Sequence, residues 1–132
     1  IGADTMEEKL KSFGFEEELP FDLTMQASTF DDDGKIDSEI QLADTGYGQG
    51  QVLVNPLHLL SMYSMFVNDG NMIQPVLKYE ENAAAKIWKE KAVSAQTAQT
   101  VKQSLLSVIE NPSGTGASAK SDDAWKNRNC RD

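Results

Sequence analysis

Apolar side chains recur in the first thirteen residues at Met6, Leu10 and Phe13, an i, i+4, i+7 spacing. Asp4 stands ahead of them with Glu7 three residues on, the form of a capping box, so this stretch predicts a short amphipathic helix closed by Gly14. From residue 15 to residue 44 the periodicity fades and turn formers are common, which reads as loop with one short extended piece around residues 36–42. A glycine-rich turn follows, Gly46-Tyr47-Gly48-Gln49-Gly50, and then the apolar triplet Val52-Leu53-Val54. Asn55 is a good N-cap, and Pro56 suits the first helical position because its missing N–H would have no partner there. The helix they open is predicted to reach about Asn68, with Gly70 ending it. Leu57, Leu60, Met62, Tyr63, Phe66 and Val67 cover more than half of its circumference, which predicts burial on more than one side. Residues 74–79 and 85–90 flank 81–84 as the arms of a hairpin, with Ile87 and Trp88 in the second arm. Ser94 caps a third helix whose apolar positions Ala98, Val101, Leu105, Val108 and Ile109 keep a three-four spacing, and Asn111-Pro112 ends it. Residues 113–118 read as a flexible connector. The pattern as a whole predicts a mainly α fold with a short β-hairpin, an α+β class.

Composition bounds what such a chain does. Of its 132 residues 39% are hydrophobic and 8% aromatic, sufficient for the modest core of one domain or of a piece of a larger one. No apolar run approaches the roughly 18 residues of a membrane helix, and Ile1-Gly2-Ala3-Asp4 does not resemble a signal peptide, so the chain is expected to be soluble and unanchored. A formal charge of -9 argues against a nucleic-acid partner, since such binding depends on Lys and Arg displacing counterions. Its single Cys excludes an internal disulfide and any multi-cysteine metal site.

The charge is unevenly placed: residues 1–45 carry 13 acidic and 3 basic side chains, residues 46–132 carry 8 and 9. Glu16-Glu17-Glu18 and Asp31-Asp32-Asp33 read as solvated loop surface. Asp31, Asp33 and Gly34 fit positions 3, 5 and 6 of a calcium loop, but that register puts Thr29 at position 1 and Ile40 at position 12, so no metal site is predicted. His58, the only imidazole, lies among apolar neighbours and reads as a packing or surface histidine. No activated nucleophile with a base and oxyanion donors can be assembled, and no two carboxylates stand apart from their neighbours as an acid–base pair. The glycine turn lacks the Lys-Ser/Thr ending of a phosphate loop. The residues by themselves therefore predict no catalytic residues and no cofactor.

From Ala43 through Tyr47, Gln49 and Asn55 to Leu57 the sequence resembles class B penicillin-binding proteins, the cell-wall D,D-transpeptidases, in particular the low-affinity, resistance-associated kind of Gram-positive bacteria. That family runs a tyrosine-glycine-glutamine-glycine turn into an Asn-Pro-capped helix, then an Asn-x-Gly end and a proline, here Asn68-Asp69-Gly70 and Pro75. The resemblance covers about residues 1–120 and implies the helical part of a serine β-lactamase/transpeptidase-like fold. It implies a parent that is extracytoplasmic, anchored in the membrane by an N-terminal segment missing here, and that binds the peptidoglycan stem peptide and β-lactams. In that parent Tyr47 and Gln49 would line the substrate cleft; a purely structural turn is the other reading of the same residues.

The family's chemistry resides in motifs S-x-x-K, S-x-N and K-T-G. The first two precede the region that matches residue 1, so this chain is expected to be a catalytically inactive fragment. The third is due just after residue 124, where Trp125-Lys126-Asn127-Arg128-Asn129-Cys130-Arg131-Asp132 stands instead. This octapeptide has a codon choice, TGG AAA AAC CGG AAC TGC CGA GAT, that read one base later gives Gly-Lys-Thr-Gly-Thr-Ala-Glu. Residues 121–132 are accordingly expected to be the third-motif strand translated out of frame. Without the β-sheet that such helices cover, the fragment is expected to self-associate. Two alternatives stay open: a stand-alone helical interaction module with an acidic face, and a piece of a β-lactam sensor or class D β-lactamase.

Overall fold

The first helix, α1 (Ala3–Ser12), carries a local end signal that its start lacks. Lys11 O accepts from Gly14 N and Leu10 O from Phe15 N, with Gly14 at φ +96°, the paired bonds of a Schellman motif that only a glycine enters without strain. The expected capping box does not form. Gly2 is the N-cap without a side-chain bond, and Glu7 Oε1 instead accepts from the backbone N of Ile36 at 2.8 Å. A donor 29 residues away has taken the carboxylate that a local cap would use. The structure, a computed structural model, describes residues 1–78, 80–81 and 83–119. The expected out-of-frame strand at 121–132 lies outside the described residues.

Phe15, Phe30 and Ile36 are buried together, with Met6, Leu10, Phe13, Leu42, Val52 and Met62 packed around them. The long segment between α1 and the next helix is thus wound around a core. The extended piece expected at residues 36–42 is instead the start of a helix, α2 (Glu39–Gly46). Ser38 Oγ accepts from Gln41 N while Gln41 Oε1 accepts from Asp37 N, a reciprocal cap that nucleates the turn.

Asn55 caps α3 (Pro56–Ser64) as its sequence predicts, its Oδ1 accepting from Leu57 N and its Nδ2 donating to Gln26 O. The helix ends four residues earlier than expected, because Met65, Phe66 and Val67 bond back to Met62, Tyr63 and Ser64 in tighter three-residue turns. Gly70 closes the segment at φ +86°, where a Cβ would lie 2.0 Å from Val93 O. Burial on several sides of α3 is not observed: His58 and Ser61 are buried, whereas Leu60 and Tyr63 are exposed, as is Val67 in the turns that follow.

The hairpin is present but short. Strand β1 (Met72–Ile73) pairs antiparallel with β2 (Ile87–Lys89) through an irregular register, and Gln74 N adds one bond to Lys86 O. The pairing of the first arm ends at Gln74, just ahead of Pro75, where the sequence pattern has that arm begin. Ser94 caps α4 (Ala95–Glu110) and Asn111 ends it. The predicted flexible connector at 113–118 instead folds back on α4: Gly116 N donates to Val108 O and Gly114 N to Asn111 O, and a Cβ on Gly114 would lie 2.1 Å from Val108 O. With four helices and one two-stranded sheet among the described residues, the chain is mainly α.

Candidate functional site

Asp44, Tyr47 and Gln49 share one turn at the end of α2. Asp44 O accepts from Tyr47 N and Gln49 N, at 3.3 and 2.9 Å, and Gly48 N donates to Thr45 O at 3.1 Å. Gly48 and Gly50 take φ of +74° and +70°, which turns the chain sharply enough to leave Tyr47 and Gln49 facing solvent. Tyr47 is 63% exposed, yet its hydroxyl donates to Asp44 Oδ1 at 2.7 Å. That bond to a carboxylate, reinforced by its charge, raises the phenol pKa above 10.0 and keeps Tyr47 a neutral donor. The structure therefore places both predicted cleft residues on one projecting turn and tethers the ring of one of them.

The base of the turn is fixed from behind. Thr29 and Leu53 form a two-way antiparallel bridge, with N–H···O distances of 2.9 and 2.8 Å. Ser28 Oγ accepts from Asn55 N at 2.9 Å and lies 2.7 Å from His58 Nδ1; His58 Nε2 is 2.8 Å from Phe13 O. The imidazole is 2% exposed, with Phe15 against one part of the ring and the edge of Trp88 against another. It is a packing histidine, as its neighbours in sequence imply, and it is also a hub that the sequence does not reveal. Glu17 completes the surroundings by accepting from Lys89 Nζ and from Trp88 Nε1. A groove of about 330 Å³ runs beside the turn's base, lined by Gln26, Ala27, Leu53, Val54, Asn55 and Pro56; Tyr47 and Gln49 are not part of its wall.

The acidic run that fits a calcium loop in part is engaged internally. Asp31 Oδ1 accepts from Asp33 N, Asp33 Oδ1 accepts from Lys35 N, and Asp31 Oδ2 accepts from Gln41 Nε2. These are local turns that order the loop ahead of α2.

The penicillin-binding protein transpeptidase domain is the family whose model matches residues 1–127. The chain belongs to that family. It is 40% identical over 115 residues to penicillin-binding protein 3 of Bacillus subtilis (strain 168), an alignment covering 87% of this chain and 17% of that protein. It is 27% identical over 128 residues to stage V sporulation protein D of the same organism, covering 90% and 19%. The chain thus spans under a fifth of the length of these curated relatives. As part of a transpeptidase domain it supplies the glycine turn and the capped helix α3, while no S-x-x-K, S-x-N or K-T-G sequence occurs anywhere in it.

Proposed function

We propose that the chain is a non-catalytic piece of a class B, low-affinity type penicillin-binding protein whose Tyr47–Gly50 turn borders the substrate cleft. The observation that carries this reading is the transpeptidase-domain match over residues 1–127. The parent would act outside the cytoplasmic membrane, anchored by a segment ahead of this region. Its serine would attack the D-Ala-D-Ala stem peptide, form an acyl-enzyme, and pass the acyl group to an amine of a neighbouring strand; β-lactams would be trapped at the acyl-enzyme stage. Tyr47, held by Asp44, and Gln49 beside it would offer hydrogen bonds to the extended peptide from the rim. No helix among the described residues is long and apolar enough to cross a membrane.

A fluorescent penicillin tests both halves of the proposal. The 132-residue chain is expected to remain unlabelled after denaturing electrophoresis, and covalent labelling would overturn its assignment as inactive. In the parent, Tyr47→Phe and Gln49→Ala are each expected to slow acylation roughly five- to tenfold, the scale of one lost hydrogen bond. Unchanged acylation in both variants would remove the turn from the cleft. The out-of-frame origin of residues 121–132 is settled by reading the coding DNA from codon 115 to the stop. A shifted frame that fails to read Gly-Lys-Thr-Gly would make the tail native and favour the stand-alone interaction module.

A further inference from the structure

We propose that His58 is an acid-sensitive latch that holds residues 26–30 against residues 53–55, and through them the base of the Tyr47–Gly50 turn, to the turn that follows α1. The hydrogen bonds around the ring fix the tautomer of the neutral imidazole. Phe13 O is an acceptor, so Nε2 must carry a proton; Nδ1 is then free to accept from the Ser28 hydroxyl. Ser28 Oγ in turn accepts from Asn55 N, the residue that caps α3, and Asn55 also donates to Gln26 O. One neutral imidazole thus ties the Schellman turn after α1, the 26–30 segment, the cap of α3 and, by its face, Trp88 of β2.

A proton from solvent added at Nδ1 breaks this arrangement. Nδ1–H becomes a donor, Ser28 Oγ must accept from it and from Asn55 N together, and the serine's own proton loses its acceptor in a site that is 1% exposed. The cation is moreover enclosed by Phe15 and Trp88 rather than water. The charged groups facing the ring act in opposite directions: Glu17 favours the imidazolium, Lys89 opposes it, and the two are paired with each other. Burial is the largest influence and keeps His58 below its ordinary value of 6.5, with the Phe13 carbonyl as the main opposing one.

The sign of the effect follows. An opened state with a solvated histidine binds its proton near pH 6.5, whereas the latched state binds it only at lower pH, so acid favours opening throughout the interval between the two. Well above pH 6.5 the histidine is neutral in both states, and protonation no longer favours opening. The opening affects first the bonds nearest the ring, Asn55 N to Ser28 and the Thr29–Leu53 bridge, which together anchor the base of the glycine turn. The proposal adds a regulation to the same turn and takes from the proposed function only the reason why that turn matters.

The experiment uses the whole 132-residue chain, in which His58 is the single histidine, so its ring proton resonance needs no further assignment. Proton NMR is expected to show a midpoint below 6.5. Hydrogen exchange, corrected for intrinsic rates, is expected to show protection at the Thr29, Leu53 and Asn55 amides falling about tenfold per pH unit between about 6.5 and that midpoint. Amides in the middle of α4 should keep their protection. His58→Gln, which retains a donor and an acceptor but does not titrate, should abolish the pH dependence at those three amides. Protection that stays constant through the histidine titration overturns the latch, as does a fall that α4 shares in full or one that persists in H58Q. The wild-type titration decides the matter even where the variant fails to fold. Failure of Tyr47→Phe and Gln49→Ala to slow acylation would remove the cleft role and leave these exchange results standing.

Discussion

Gly14 and Trp88 compete for one volume. A Cβ at position 14 would lie 2.5 Å from Trp88 Cη2, and the backbone there sits at φ +96°, a region L side chains enter only with strain. Trp88 has little room to retreat, because its ring edge meets His58 at a 5.1 Å centroid separation and its Nε1 donates to Glu17. Gly14→Ala is therefore expected to destabilise the chain by about 1–3 kcal/mol through backbone strain alone, with displacement of the indole adding to it. Urea unfolding measures this as a lowered midpoint at unchanged slope. Gly2→Ala is the control, since a Cβ there would meet no atom within 4 Å and the backbone φ is -89°; a midpoint that shifts equally in both variants would refute the clash. Gly14 is legible as a helix stop because the Schellman pattern is local. Its contact with Trp88, far along the chain, leaves no mark in the sequence around either residue.

Reach along the chain also decides which elements are legible. Asn55-Pro56, Ser94 and Gly14 act on backbone groups within a few residues, and all three behave as the sequence implies. Glu7 misleads because Ile36 supplies a long-range donor that no local pattern encodes. Helix α2 escapes notice for a different reason: Ile40, an apolar residue in its first turn, is 76% exposed, so a short helix shows no apolar stripe, and its only signal is Ser38-x-x-Gln41. The same distinction holds for the candidate site. The glycines announce the Tyr47–Gly50 turn, whereas the Ser28–His58–Phe13 connections behind it span 30 and 45 positions. Local caps, the legible part, are also the part with predictable cost. Ser94 Oγ accepts from Thr97 N at 3.0 Å and meets Thr97 Oγ1 at 2.8 Å, so Ser94→Ala should cost about 1 kcal/mol. At this chain length that is a fall of roughly 4 °C in the circular-dichroism melting midpoint. An unchanged midpoint would mean that α4 is held by packing alone and its cap is dispensable.

For the whole molecule the decisive feature is apolar surface that the described residues leave exposed. Leu60 is 64% and Val67 71% exposed, and Tyr63 stands beside them. Tyr63, Phe66 and Val67 also form one wall of a groove of about 400 Å³ whose other wall is Leu105, Leu106 and Ile109 of α4. Burying each such side chain contributes about 1.5–3 kcal/mol, so several of them outweigh the modest repulsion between two copies of charge -9 once salt screens it. In the proposed parent the remaining four-fifths of the protein is available to cover these faces; for the chain in solution another copy can do so. Light scattering is expected to show a mass that rises with concentration and rises further as salt is added. Val67→Lys with Leu106→Lys, both on exposed positions, should return the chain to a monomer without changing its circular dichroism. The acidic-face interaction module predicts the opposite response to salt, because attraction between opposite charges weakens when screened. A mass that stays monomeric at high concentration and high salt would refute the exposed-face argument and shift weight to that module.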